Sequence, residues 1–220
     1  MRTGPLLLIA LLACACANQS SPTAITGTSI DTLDYVVGDP DLWPRTGSQW
    51  QQQTLDTARR EVCWIKYFNP RTFECWRWDE DWIYHRVDQA LDGDTGESYV
   101  FTDGRWMPRH LSAAWSLDVN GNALRWFDRN CRLDPVKSRP APYRVAVAIA
   151  PSQFLSRDLG FRDVIELSYS PDPDTSGGYT EHFYFARGAG WYAWDNGRTA
   201  VRFDRLSNAR LPGHGSSCGE

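Results

Sequence analysis

From Cys63 onward, hydrophobic residues recur at every second position, and turn-forming residues interrupt them about every ten residues. "SAAWSLDV" sets Trp115, Leu117 and Val119 on one face and Ala114, Ser116 and Asp118 on the other. "VNGN" then supplies a tight turn and "ALRWFD" returns, so 112–128 is expected to form a hairpin. "YRVAVAIA" (143–150) is apolar on both faces, as a covered central strand would be. "VIELSY" (164–169) turns Ile165, Leu167 and Tyr169 inward and leaves Glu166 outside. "TEHFYFARGAGWYAWDNGRTAVRFDRL" reads as three strands joined by "RGAG" and "DNG" turns, a meander. This pattern predicts an all-β chain, a single antiparallel β-sandwich or barrel. One short N-terminal helix is expected over 50–62, "WQQQTLDTARREV", where Leu55, Ala58 and Val62 fall at helical spacing.

The first seventeen residues, "MRTGPLLLIALLACACA", carry Arg2 as their one charge and then a short apolar run, Pro5 to Ala13. That run is about half the ~20 residues a membrane-spanning helix needs, so 1–17 reads as an export segment. "LLAC" (Leu11 to Cys14) resembles the lipobox of bacterial lipoproteins, in which the cysteine becomes the lipidated first residue. The resemblance implies lipidation at Cys14 and a membrane anchor, and Ala15 after it implies the outer membrane of a double-membraned cell. Leu12 stands where that pattern more often has a small residue, and Ala15-Cys16-Ala17 offers ordinary signal cleavage, which would leave a periplasmic or secreted protein. Residues 18–48 read as a polar tether followed by an irregular segment, and 49–220 as the β domain. "YFARGAG" resembles segments of secreted bacterial all-β proteins, which implies fold class alone.

Beyond the leader, the cysteines are Cys63, Cys75, Cys131 and Cys218. An even number in an exported chain predicts two disulfides. Cys63 with Cys75 would clip a hairpin, and Cys131 with Cys218 follows by elimination. No C-x-x-C spacing and no H-x-x-x-H pair exists, so no metal or other cofactor is expected. None of the acidic loops at 92–97, 118–122 and 172–178 has both the sixth-position glycine and the twelfth-position acid of a helix-flanked calcium loop, and they read as turns. A formal net charge of −4 without a basic run argues against nucleic acid.

Eleven tryptophans set this chain apart, and "CWRWDEDW" (75–82) holds three of them among three acids. Placing Cys63 opposite Cys75 pairs Ile65 with Phe73, Trp64 with Glu74 and Val62 with Trp76. One face then carries Cys63, Ile65, Tyr67, Phe73 and Cys75, the more uniformly apolar set, and is expected to face the core. The other carries Trp64, Lys66, Glu74, Trp76 and Trp78 and is expected to remain partly open. Indoles beside a carboxylate and an ammonium suit a glycan, whose C–H faces stack on the rings while its hydroxyls take the polar groups. The leading expectation is therefore a lipid-anchored envelope protein that binds glycan through these five residues. A structural or assembly lipoprotein docking a protein partner is the first alternative. The second is a glycan-active hydrolase or lyase, which needs Glu74 to converge with another carboxylate such as Asp79, Glu80 or Asp81, or uses His85 as a base. Glu181 and His182 are chain neighbours on opposite strand faces, so His182 is expected to be structural.

Overall fold

Period-two sequences bury one face per strand, and here two such faces close on each other. The structure is a computed structural model that describes residues 29–44, 50–65, 73–88, 97–149, 160–161, 163–171 and 179–208. The larger sheet runs β11 (Leu133–Pro140), β10 (Ala123–Phe127), β6 (Ser98–Phe101), β5 (Trp82–Asp88), β4 (Phe73–Trp78), β3 (Glu61–Ile65), β2 (Trp50–Asp56), β17 (Arg205–Asn208), with β7 (Arg105–Pro108) also paired to β5. The smaller sheet runs β16 (Ala200–Arg202), β15 (Gly190–Asp195), β14 (Glu181–Ala186), β13 (Val164–Pro171), β12 (Tyr143–Ile149), β9 (Trp115–Val119). A two-stranded ribbon joins β1 (Ile30–Asp31) to β8 (His110–Leu111). One four-residue helix, α1 (Leu33–Val36), and a 3-10 turn at Pro40–Leu42 complete the elements among the described residues, so the chain is all-β and sandwich-like, with sheets that do not close into a barrel. Among the described residues no helix is long and apolar enough to cross a membrane.

The hairpin of β3 and β4 has the expected register. Cys63 opposes Cys75 and is bonded to it, Trp64 opposes Glu74, Val62 opposes Trp76, and Ile65 opposes Phe73. Cys131 is disulfide-bonded as well. Since Cys63 and Cys75 join each other, its partner lies outside the described residues, where Cys218 also falls. The meander of β14, β15 and β16 forms as read, and β12 lies between β9 and β13.

Three expectations are corrected. Residues 50–62 are not a helix: β2 runs to Asp56, a turn follows, and β3 begins at Glu61. Arg60 turns the chain with φ 52°, and the Asp56 carboxylate accepts the Arg59 N–H at 3.0 Å. The inward positions of β2 include Gln51 and Gln53, both buried, so its alternation is invisible to an apolar count. Second, β9 and β10 do not pair with each other. β9 joins β12 in the smaller sheet and β10 joins β6 and β11 in the larger, so "VNGN" is a corner between sheets. Asn122 holds that corner: its Oδ1 accepts the Asp103 N–H (3.1 Å), and its Nδ2 donates to the Ala141 carbonyl (2.8 Å).

The third correction concerns sidedness. The indole face of the hairpin looks inward. Trp64 and Trp76 are both 0% exposed, and they meet Trp191 of the opposite sheet at 6.2 and 5.8 Å. Phe185 lies 5.4 Å from Trp76. Sheets in a sandwich stand about 10 Å apart, a gap that large rings fill. Burying one indole removes roughly 200 Å² from water, worth about 5 kcal/mol, so the face with more aromatic area takes the core. The opposite face is buried too, as a second cluster of Cys63, Ile65, Cys75, Val87, Val100 and Phe127.

Tyr35, Val36 and Trp43 are buried members of the main core, so the segment around α1 packs onto the sandwich. Trp43 donates its indole N–H to the Ala189 carbonyl at 2.8 Å.

Candidate functional site

Sealing two of the three indoles breaks up the expected platform. Glu74 goes into the core with Trp64 and Trp76 and is 3% exposed. Lys66 lies outside the described residues, as does Cys14. Of the four described members of the set, Trp78 alone stays half-buried, at the end of β4, and its ring forms one wall of an open groove of about 470 Å³.

The groove is built where three segments meet. α1 and the residues after it supply Leu33, Asp34, Val37 and Asp39, the end of β2 supplies Leu55, and the β14–β15 turn supplies Arg187 and Gly188. Hydrogen bonds stitch these segments together. The Gly188 N–H donates to the Asp34 carbonyl at 2.6 Å, and the Asp39 N–H donates to the Gly188 carbonyl at 2.7 Å. Buried Gln53 accepts the Gly38 N–H at 3.1 Å, donates back to the Gly38 carbonyl, and donates to Asn208 Oδ1 at 2.9 Å. Only glycine fits at 38, because a Cβ there would stand 2.5 Å from the Ala189 carbonyl oxygen.

Arg187 is held in place at the rim. Its guanidinium lies 5.2 Å from the Tyr35 ring centre, bonds Asp163 at 2.7 Å, and donates to the Tyr35 hydroxyl at 3.1 Å. That hydroxyl donates to Asp163 Oδ1 at 2.6 Å. Burial, followed by the Asp163 bond, pushes the Tyr35 phenol up to about 12, so it stays a donor at any physiological pH. Asp34 and Asp39 are exposed on the same rim. Such a groove can hold a ligand of mixed character, with an indole and aliphatic walls for an apolar face and two carboxylates and a guanidinium for polar groups. Its size lies within the usual range for small-ligand sites, ~300–1,000 Å³.

The other expected arrangements do not assemble. Glu74 and Asp79 are separated by the length of β4, roughly 16 Å at ~3.3 Å per residue. Asp79 instead accepts the Tyr84 hydroxyl at 2.7 Å, and Glu80 bonds Arg60 at 2.8 Å. His85 is buried among Phe101, Trp106 and Trp76, closed to a substrate. His182 is structural in its contacts: its Nδ1 lies 2.7 Å from Glu166 and 3.3 Å from Ser168 Oγ. Both meet the same ring nitrogen, whereas a serine triad needs one on each. Glu181 points the other way and accepts the Trp194 N–H at 2.9 Å. Glu61, Cys63 and Cys75 bring their ligand atoms within 4.8 Å of one another, but the disulfide removes both thiolates. Asp118, in one of the acidic loops, is taken by Arg144.

Sequence reasoning missed Tyr35, Arg187, Asp34 and Asp39 because they sit in segments without periodicity. The signal that existed was Tyr35-Val36 and Trp43, large apolar residues in a stretch otherwise rich in Gly, Pro and Asp. Comparison with known proteins finds no matching family, no matching curated relative and no matching solved structure.

Proposed function

We propose that this is a lipid-anchored protein of the bacterial cell envelope that binds a glycan in the groove walled by Trp78. The observation that carries the reading is a half-buried indole facing a groove of about 470 Å³ whose rim holds two carboxylates and a fixed guanidinium. A pyranose ring stacks its C–H face on such an indole, and Asp34, Asp39 and Arg187 take its hydroxyls. The leader with Cys14 in "LLAC" supports the anchor and the outer-membrane location. A glycan-array screen of the protein lacking residues 1–17, followed by fluorescence titration, tests the binding. Binding that Trp78→Ala removes supports the reading, and silence across the array rejects it.

A second reading has its own support. Leu55 and Leu42 are 43% and 55% exposed; Leu55 lines the groove and Leu42 packs at Gly188. Exposed leucines beside an indole suit an amphipathic segment of a protein partner, as in an assembly lipoprotein. Leu42→Ser, outside the groove lining, separates the two: it spares sugar binding and weakens protein docking.

A further inference from the structure

The sequence holds two Asn-Gly pairs: Asn120-Gly121 joins β9 to β10, and Asn196-Gly197 joins β15 to β16. Asparagine is among the chemically labile residues, and a following glycine exposes it most, because no Cβ hinders the backbone nitrogen from reaching its side chain. The fold treats the two pairs in opposite ways. At 196–197 both reacting groups are engaged. Asn196 Oδ1 accepts the Arg198 N–H at 3.0 Å and the Thr199 N–H at 2.9 Å. The Gly197 N–H, on the nitrogen that would attack, donates to Asp195 Oδ1 at 3.1 Å. The Asn196 N–H donates to the Thr199 carbonyl at 3.1 Å and closes the turn.

At 120–121 these bonds are missing. Both residues are exposed, and among the described residues neither the Asn120 carboxamide nor the Gly121 N–H has a hydrogen-bond partner. A Cβ at 121 would meet nothing within 4 Å, so the space around that peptide is open. The chain is clamped on either side of the pair. Val119 is buried opposite Tyr143, and the Asn122 side chain bonds Asp103 and Ala141. Two residues thus span the corner between the sheets, secured at their ends and unsecured themselves.

We propose that Asn120 is a modification site, the position at which the folded chain converts by itself to aspartate and isoaspartate. The Gly121 nitrogen gives its proton to a base in solvent and bonds to Asn120 Cγ. The Cγ–Nδ2 bond breaks, and Nδ2 takes a proton from solvent and leaves as ammonia. Water then opens the cyclic imide. Addition at Cγ gives aspartate, and addition at the Asn120 backbone carbonyl carbon gives isoaspartate. In each case the bond from that carbon to the Gly121 nitrogen breaks, and the nitrogen regains a proton. Both products place a carboxylate two residues from Asp118, whose own charge is taken by Arg144. Isoaspartate also lengthens the backbone by a methylene at the corner where the chain passes from one sheet to the other. The site is independent of the groove, which lies among α1, β2 and the β14–β15 turn.

The test incubates the full chain at mildly alkaline pH and follows both Asn-Gly pairs by peptide mapping with fragmentation mass spectrometry. A parallel sample in urea, with its disulfides intact, supplies the rates without the fold. In the folded chain Asn120 is expected to convert about tenfold faster than Asn196, because hydrogen bonds must break first only at 196–197. In urea the two rates are expected to converge. Similar rates at the two pairs in the folded chain, or faster conversion at Asn196, would overturn the proposal. So would a ratio that urea leaves unchanged, or an Asn120 that converts in urea and stays intact in the fold. Every reading comes from the unsubstituted chain, so the result does not depend on a variant that folds.

Discussion

Gly190 presses against the ring of Trp64: a Cβ at 190 would stand 2.6 Å from the Trp64 Cη2 atom. The glycine also holds φ +83°, a conformation unfavourable for any other residue. Sequence distance and sheet membership separate these two residues, yet the indole packs where it does only because position 190 has no side chain. Gly190→Ala should lower stability by about 2–3 kcal/mol through overpacking and backbone strain together, as read from the urea midpoint.

The three indoles of the first hairpin should behave differently. Trp76→Ala empties the centre of the core and should cost about 3–5 kcal/mol, enough to unfold much of the protein. Trp78→Ala, at a half-buried position, should cost about 1–2 kcal/mol while eliminating the proposed glycan binding. Paired thermal melts and binding titrations check both, and equal melting temperatures for the two variants would contradict the buried position of Trp76.

Replacing Cys63 and Cys75 together by alanine should destabilise the chain by about 3 kcal/mol. The bridge closes residues 12 apart in sequence, and loop-closure entropy of that order sets the figure. Denaturation of the double variant with and without reductant isolates this bridge from the one at Cys131.

Acid should weaken the fold through Asp31. The Arg109 guanidinium bonds its carboxylate and holds it below its ordinary value of 3.8. A carboxylate with a depressed folded pKa binds fewer protons folded than unfolded, so stability falls as pH falls. The contribution is complete above the unfolded value and disappears as pH drops through the folded one. Asp103, held down by Arg105, adds in the same direction. Asp31→Asn should flatten the slope of stability against pH below about pH 4 and leave it unchanged near neutrality.

How far the amino-acid sequence reveals this fold depends on which property each residue expresses locally. Strand character, the Cys63–Cys75 register and the late meander follow from alternation and turn chemistry, which act over a few residues. The sidedness of β3 and β4 does not, because both faces are apolar and both are buried, and what decides between them is the rings of Trp191 and Phe185, more than a hundred positions later. The same holds for β9 and β10, whose alternation is sound but says nothing of which strand each will join. Buried glutamines hide β2, and its apolar spacing imitates a helix. The groove is hardest to foresee, since its walls come from an aperiodic segment at 33–39 and a turn at 187–188.

The parallel pairing of β17 with β2 has a consequence for how the chain comes to be folded. Leu206 lies beside Gln51, and the Gln53 amide reaches Asn208 across 155 positions. A nascent chain released only as far as Asp204 still lacks the strand that covers the β2 edge, so the larger sheet is completed last at that side. Until then the uncovered amides and carbonyls of β2 are open to any other extended segment, and pairing with a second nascent chain competes with correct closure.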